Sequence, residues 1–285
     1  DASAVEGMLA PRPLDSHKGS YGHLLVVAGS PGKAGAACMA AKGALRSGAG
    51  LVTVAAPAGQ VPVIQQQVME AMCLPSAESI DGTIGVGAET ELARSAAGMS
   101  ACAVGPGLTA HRETVQVVRD LVRRMETPMV VDADGLNALA GAADILKRAR
   151  APLVLTPHPG EMARLAGVTA AEVQADRVGV AAAFAQKNGV TVVLKGAGTV
   201  VASPKGEVFV NTTGNAGMAT AGTGDVLTGV IGSLLAQGYG PTWAACMGVY
   251  LHGLAGDLAA AEKSEAGMIA GDVIEKLPEA IKKMT

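Results

Sequence analysis

The chain has 285 residues, of which 49% are hydrophobic, 16% charged and only 2% aromatic, with a net charge of −3. That length suits one large α/β domain with a sizeable core, and the composition excludes a disordered chain. The scarcity of aromatic residues and the lack of Lys/Arg clusters argue against nucleic-acid binding, and no apolar run reads as long and pure enough to span a bilayer. Cys38, Cys73, Cys102 and Cys246 are widely spaced, form no CxxC pair and read as reduced, buried thiols of a cytoplasmic protein. The chain starts at Asp1, with neither Met nor a signal peptide, which suggests a trimmed chain or a piece of a longer one.

In chain order, "HLLVVAGS" from His23 reads as a buried strand entering a Gly/Pro turn, and "GAACMAAKGALRSGAG" as a helix stopped at Gly48 or Gly50. "LVTVAAP" and "ACAVGPGLT" are strands, and "RETVQVVRDLVRRME" is an amphipathic helix. "PMVVDADGLNALA" and "PLVLTPHPGEMARLAG" each read as strand, polar turn and helix, and "AAEVQADRVGVAAAFAQKNG" as one long helix. "VTVVLKGAGTVVASPKGEVFVNTTG" gives strands with tight turns, with an antiparallel section around Pro204, Lys205 and Gly206. "GDVLTGVIGSLLAQG" and "PTWAACMGVYLHGLAGDLAAAE" are two apolar helices. Short, continuously apolar strands alternating with helices predict a mostly parallel central sheet with helices on both faces. The expected architecture is a three-layer α/β/α domain spanning 1–285.

Ligands of such sheets bind at the carboxyl ends of the strands. The unusual polar residues fall there: Ser30, then 105–109, 132–137, 156–161, 195–199 and 211–225. Among them, Ala221-Gly222-Thr223-Gly224-Asp225 opens an apolar helix. Small residues let backbone N–H groups close around an anion, and a helix N-terminus adds unpaired donors. Asp225 there is expected to be held ionised, either as a helix cap or as a base for a hydroxyl attacking a phosphoryl group. Lys195-Gly196-Ala197-Gly198-Thr199 follows a strand and reads as a nucleotide phosphate or ribose contact, or as an ordinary hairpin turn. "GSPGKA" does not complete a Walker A motif, and GxGxxG after the first strand is absent.

In Thr156-Pro157-His158-Pro159-Gly160-Glu161, His158 could donate to a substrate or phosphate and Glu161 could hold Mg²⁺ through water. Alternatively, Pro159 opens a helix with Glu161 in its first turn. Asp132 and Asp134 read as ligand contacts or helix caps, His17 and Lys18 as a solvated loop, His252 as a packed helix residue, and Met218 and Met247 as core filler.

Together, "HKGSYGHLLVVAGSPGKAGAA", "ALRSGAGLVTVAAP", "AVGPGL", "VVDADGLNAL", "LTPHPGEMARL", "VLKGAGTVV" and "TGNAGMATAGTGDVLTGVIGSLLAQG" resemble the ADP-dependent NAD(P)H-hydrate dehydratases of the ribokinase-like superfamily, from about His17 to His252. The resemblance implies repair of hydrated NADH or NADPH with ADP or ATP as co-substrate and Mg²⁺, by phosphorylation of the carbon-6 hydroxyl and loss of phosphate. It implies that Lys195, Gly196, Ala197, Gly198, Thr199 and Gly224 contact the adenine nucleotide, and that Ala36, Gly107, His158 and Asp225 contact the hydrated cofactor. The N–H groups of Ala221, Gly222, Thr223 and Gly224 would form an anion hole, with Asp225 as base and Glu161 as the Mg²⁺ residue. It further implies a homo-oligomer, a tetramer by preference, and a possible fused NAD(P)H-hydrate epimerase domain. Many relatives have Gly where this chain has Ala221, which would be strained at positive φ. A vitamin-alcohol kinase of the same superfamily and a nucleotide-sensing protein are the alternatives.

Overall fold

A computed structural model describes Val5 and residues 7–284. β1 (His23–Val27) leads through α1 (Ala34–Arg46) to β2 (Leu51–Pro57), and α2 (Val61–Gln67) to the edge strand β3 (Met72–Ser76). The chain then crosses by α3 (Ala88–Ala96) to β4 (Ala101–Val104) on the other side of β1. It continues through α4 (Arg112–Arg124), β5 (Met129–Val131), α5 (Asp134–Leu139), β6 (Leu153–Leu155), α6 (Pro159–Ala166), α7 (Ala170–Ala175) and α8 (Arg177–Asn188) to β7 (Thr191–Leu194). β8 (Val200–Ala202) and β9 (Val208–Val210) follow, then α9 (Thr223–Ala236), α10 (Pro241–Lys263) and α11 (Ala270–Lys282).

The sheet order is β3-β2-β1-β4-β5-β6-β7-β8-β9, parallel as far as β7 and antiparallel through β8 and β9. The predicted antiparallel section lies in these last two strands. Successive side chains of a strand face opposite ways, so one strand feeds two cores. Leu24 and Val26 pack with α1, α9, α10 and α11, whereas Leu25 and Val27 pack with α3, α4, α5, α6 and α8. Three layers result, as expected. Sequence order reverses at β1, which leaves a crevice beyond the carboxyl ends of β1 and β4, a position that suits a ligand.

α9 lies close against α1 because Gly229 has no side chain; a Cβ there would collide with the Ala40 carbonyl. This contact fixes the height of the N-terminus of α9 above the sheet.

Three sequence expectations change. The single long helix over 170–188 is two helices, broken at Asp176 (φ −144°, ψ 72°), whose carboxylate caps α8 by accepting from the Gly179 N–H at 2.8 Å. An Asp side chain that satisfies a free first-turn N–H competes with continued helix. α10 is, by length and composition, apolar enough to cross a membrane, but 67% of its most apolar stretch is buried in the fold. Finally, α2, β3, α3 and α11 lie in stretches from which the sequence reading drew no elements. All four cysteines are free thiols, with Cys73 only half-buried.

Candidate active site

The polar strand ends meet on one edge and are hydrogen-bonded across it. The Ser30 hydroxyl donates to the Gly107 carbonyl at 2.7 Å, and the Thr109 N–H donates to Asp134 Oδ2 at 2.8 Å. The Lys195 N–H donates to the Pro157 carbonyl, and the Asn211 N–H to the Thr199 carbonyl, both at 2.8 Å.

Asp132 is the centre of this edge. It follows β5, is 1% exposed, and both of its oxygens are taken: Oδ1 accepts from Lys195 Nζ at 2.6 Å and Oδ2 from the Thr228 hydroxyl at 2.7 Å. It is therefore neither a helix cap nor an open ligand contact; it ties the loop of 195–199 to α9. Burial lowers the Lys195 ammonium, but the carboxylates of Asp132, Glu161 and Asp225 outweigh this and hold it above its ordinary value. The next residue, Ala133, sits at φ 50°, ψ −119°, a strained conformation for a residue with a Cβ. Asp134 holds the Thr109 turn and pairs with Lys33 at 3.6 Å.

At α9 the N-cap is Gly222, whose φ of 92° only glycine adopts freely, and no side chain caps the helix. Ala221 is not at positive φ, so the expected strain is absent. Asp225 is the third helical residue and does not cap, which removes one of its two sequence readings. The first-turn N–H groups thus stay available to an anion. Asp225 is less firmly ionised than the helix N-terminus alone suggests: burial and the carboxylates of Asp132 and Asp134, opposed by Lys195, push it up to about 7. That value suits a base that must take and release a proton near neutrality.

His158 and Glu161 take up the helix-opening arrangement of the sequence reading. His158 caps α6: its Nδ1 accepts from the Gly160 N–H at 3.0 Å, leaving Nε2 to carry the proton at a half-exposed ring. Pro159 opens α6, and buried Glu161 accepts the His158 N–H at 2.8 Å through Oε2. Gly107 and Ala36 are neighbours in the β1/β4 crevice, where a Cβ on Gly107 would lie 3.0 Å from that of Ala36.

His252, buried in α10 as expected, lies near the Thr223 backbone with its Nε2 unpartnered among the described residues, and burial lowers it to about 4, so it is neutral. Met247 is buried in the core and Met218 packs against it. His17 and Lys18 form a short 3-10 turn at the amino edge of the sheet, away from this site. Sequence reasoning missed Thr228 and Lys33. A threonine one turn beyond Asp225 in an otherwise apolar helix was the available signal for Thr228.

Among the described residues no group of three or more His, Cys, Asp or Glu side chains could hold a metal ion. Three carboxylates nevertheless surround a single ammonium at Lys195. Carboxylates spaced singly in this way suit a cation that keeps most of its ligands from water and a bound phosphate rather than from the protein.

A protein-family model described as NAD(P)H-hydrate dehydratase matches residues 24–279. The bifunctional NAD(P)H-hydrate repair enzyme of Moorella thermoacetica is 46% identical over 283 residues, covering 99% of this chain and 53% of that protein. The chain thus spans about half the length of the bifunctional relatives it matches. The ADP-dependent (S)-NAD(P)H-hydrate dehydratase of Neisseria meningitidis serogroup B is 42% identical over 263 residues, covering 91% of this chain and 83% of that protein. The crystal structure of the ADP/ATP-dependent NAD(P)H-hydrate dehydratase of Bacillus subtilis, co-crystallised with ATP/Mg²⁺, superposes with a TM-score of 0.84 at 34% identity, covering 100% of this chain and 98% of that one. The fold is ribokinase-like. With the matched region running from β1 into α11, the chain belongs to the NAD(P)H-hydrate dehydratase family.

Proposed function

We propose that the chain restores NADH and NADPH from their S hydrates, with ADP or ATP as phosphoryl donor. The observation that carries this reading is Asp225: a half-buried acid pushed up to about 7 at the uncapped N-terminus of α9, beside the Lys195–Asp132 pair. Residues 195–199 and Gly224 hold the adenine nucleotide, while Ala36, Gly107, the Nε2–H of His158 and Asp225 hold the hydrate. Asp225 takes the proton of the carbon-6 hydroxyl as its oxygen attacks the terminal phosphoryl group. The N–H groups of 221–224, with those of the first turn of α9, stabilise the charge that develops there. Lys195, kept protonated by its carboxylates, neutralises the same group.

A Mg²⁺ ion on the nucleotide phosphates, near Glu161, would add Lewis-acid stabilisation. The carbon–oxygen bond then breaks, phosphate leaves, and the neighbouring carbon loses a proton to restore the ring double bond. ADP yields AMP and ATP yields ADP.

We extend the proposal to one domain over 1–285, a cytoplasmic setting, a homo-tetramer and an NAD(P)H-hydrate epimerase as companion. Support for the companion is the shared half of the bifunctional relatives. The test is incubation with hydrated NADH, ADP and Mg²⁺. Recovery of reduced-nicotinamide absorbance with equal release of AMP and phosphate is expected. No recovery, together with nucleotide-dependent phosphorylation of a vitamin alcohol, would overturn the reading in favour of a kinase.

A further inference from the structure

The helix break at Asp176 makes Arg177 the first residue of α8, and from there its side chain reaches the β7–β8 turn. Nη2 donates to the Leu194 carbonyl at 3.0 Å and Nη1 to the Ala197 carbonyl at 2.5 Å, so one guanidinium brackets the segment between them. Its Nε is buried without a partner. Gly196 (φ 143°) lies flat against it: a Cβ there would be 2.9 Å from Nη2.

A trans peptide plane points its C=O and the following N–H in opposite directions. Capture of the Leu194 carbonyl therefore turns the Lys195 N–H away from Arg177, where the Pro157 carbonyl accepts it at 2.8 Å. Capture of the Ala197 carbonyl turns the Gly198 N–H away in the same sense, and among the described residues nothing accepts it. The Thr199 hydroxyl closes the turn on the Gly196 carbonyl at 3.0 Å.

We infer that Arg177 is the positioning residue of the nucleotide loop, bracketing it from behind so that the Gly198 N–H faces the adenine nucleotide; this rests on the proposed assignment of 195–199 to that ligand. Arg177 acts through the loop and does not touch the reacting atoms. Its planar fork spans two carbonyls, which a lysine cannot do.

The test combines calorimetric titration with Mg·ADP and steady-state kinetics on the full chain. Arg177→Ala is expected to raise both Kd and KM for ADP about tenfold while kcat and the KM for hydrated NADH stay within about twofold. Arg177→Lys, retaining the charge and one donor, should recover part of the loss, and it is the variant to read if the alanine protein does not fold. Gly196→Ala, which pushes the loop off the guanidinium, should reproduce the ADP defect. A folded Arg177→Ala protein with wild-type ADP affinity overturns the role, as does one that loses kcat at unchanged ADP affinity. Wild-type protein that binds no ADP overturns the nucleotide assignment, and this role with it.

Discussion

The two glycine loops of the carboxyl edge are built on opposite electrostatic plans. The loop of 195–199 is shaped by charged side chains: Arg177 grips its carbonyls and Asp132 grips its lysine. The turn of 221–225 is shaped by neutral groups: the Thr223 hydroxyl donates to the Met218 and Thr220 carbonyls at 2.9 Å, and neutral His252 supports it from behind. On the proposed assignment, fixed positive charge at 195–199 serves to attract a polyphosphate, and the backbone dipoles of 221–224, with the Lys195 ammonium beside Gly224, serve to stabilise a transient anion. Asp132 joins the two plans through Thr228.

Asp225→Asn tests the neutral loop most severely. Turnover should fall by about 10²–10⁴-fold with ADP binding retained, whereas unchanged turnover would remove Asp225 from the chemistry. In the wild type, activity should rise with pH through a limb near 7, because the base must be ionised. Stability moves the opposite way. Folding raises Asp225 from 3.8 to about 7, so the folded state keeps its full stability below the lower value and loses part of it as pH rises through the higher. The Asn variant should therefore melt higher than wild type at pH 8 and the same at pH 4.

Asp132→Asn tests the link between the loops. Removing one partner of a buried ion pair costs about 3–5 kcal/mol, measurable by denaturant titration. It also removes a carboxylate that raises Asp225, so the limb in the activity profile should move to lower pH. A limb that stays in place would mean that the two loops are electrostatically independent. The smallest effect is expected from Gly222→Ala, which puts a Cβ at φ 92° and 3.2 Å from that of Ala270. It should cost about 1–2 kcal/mol and slow turnover without changing ADP affinity, so a change in ADP affinity alone would transfer this turn to the nucleotide side.

The layers, most of the elements and the carboxyl-edge location were legible in the sequence, because continuous apolar strands and helical spacing are local signals. Residues 221–225 and 195–199 stood out as glycine-rich strand and helix ends, but an ordinary turn or cap gives the same local pattern, and only the fold brings the two stretches together. Asp132 was half legible, since a carboxylate after a strand suggests a site, but its partners Lys195 and Thr228 are 63 and 96 residues away. The charge state of Asp225 was only partly legible because it is set by burial and by a neighbour from another strand, not by its own helix alone. The break at Asp176 escaped because apolar residues keep helical spacing on both sides of it, while the deciding feature is one side-chain hydrogen bond to the Gly179 N–H.

The long sequence separations at Asp132 bear on how the chain folds. β7, β8 and β9 pair with near neighbours and need little loop closure. The contacts of Asp132 with Lys195 and Thr228 join the end of β5 to the end of β7 and to α9, 63 and 96 residues further along the chain. A half-folded chain can hold the hairpin without having the base, the lysine and the α9 turn in register. Return of activity during refolding is expected to follow the docking of α9 on the sheet, which brings Thr228 to Asp132.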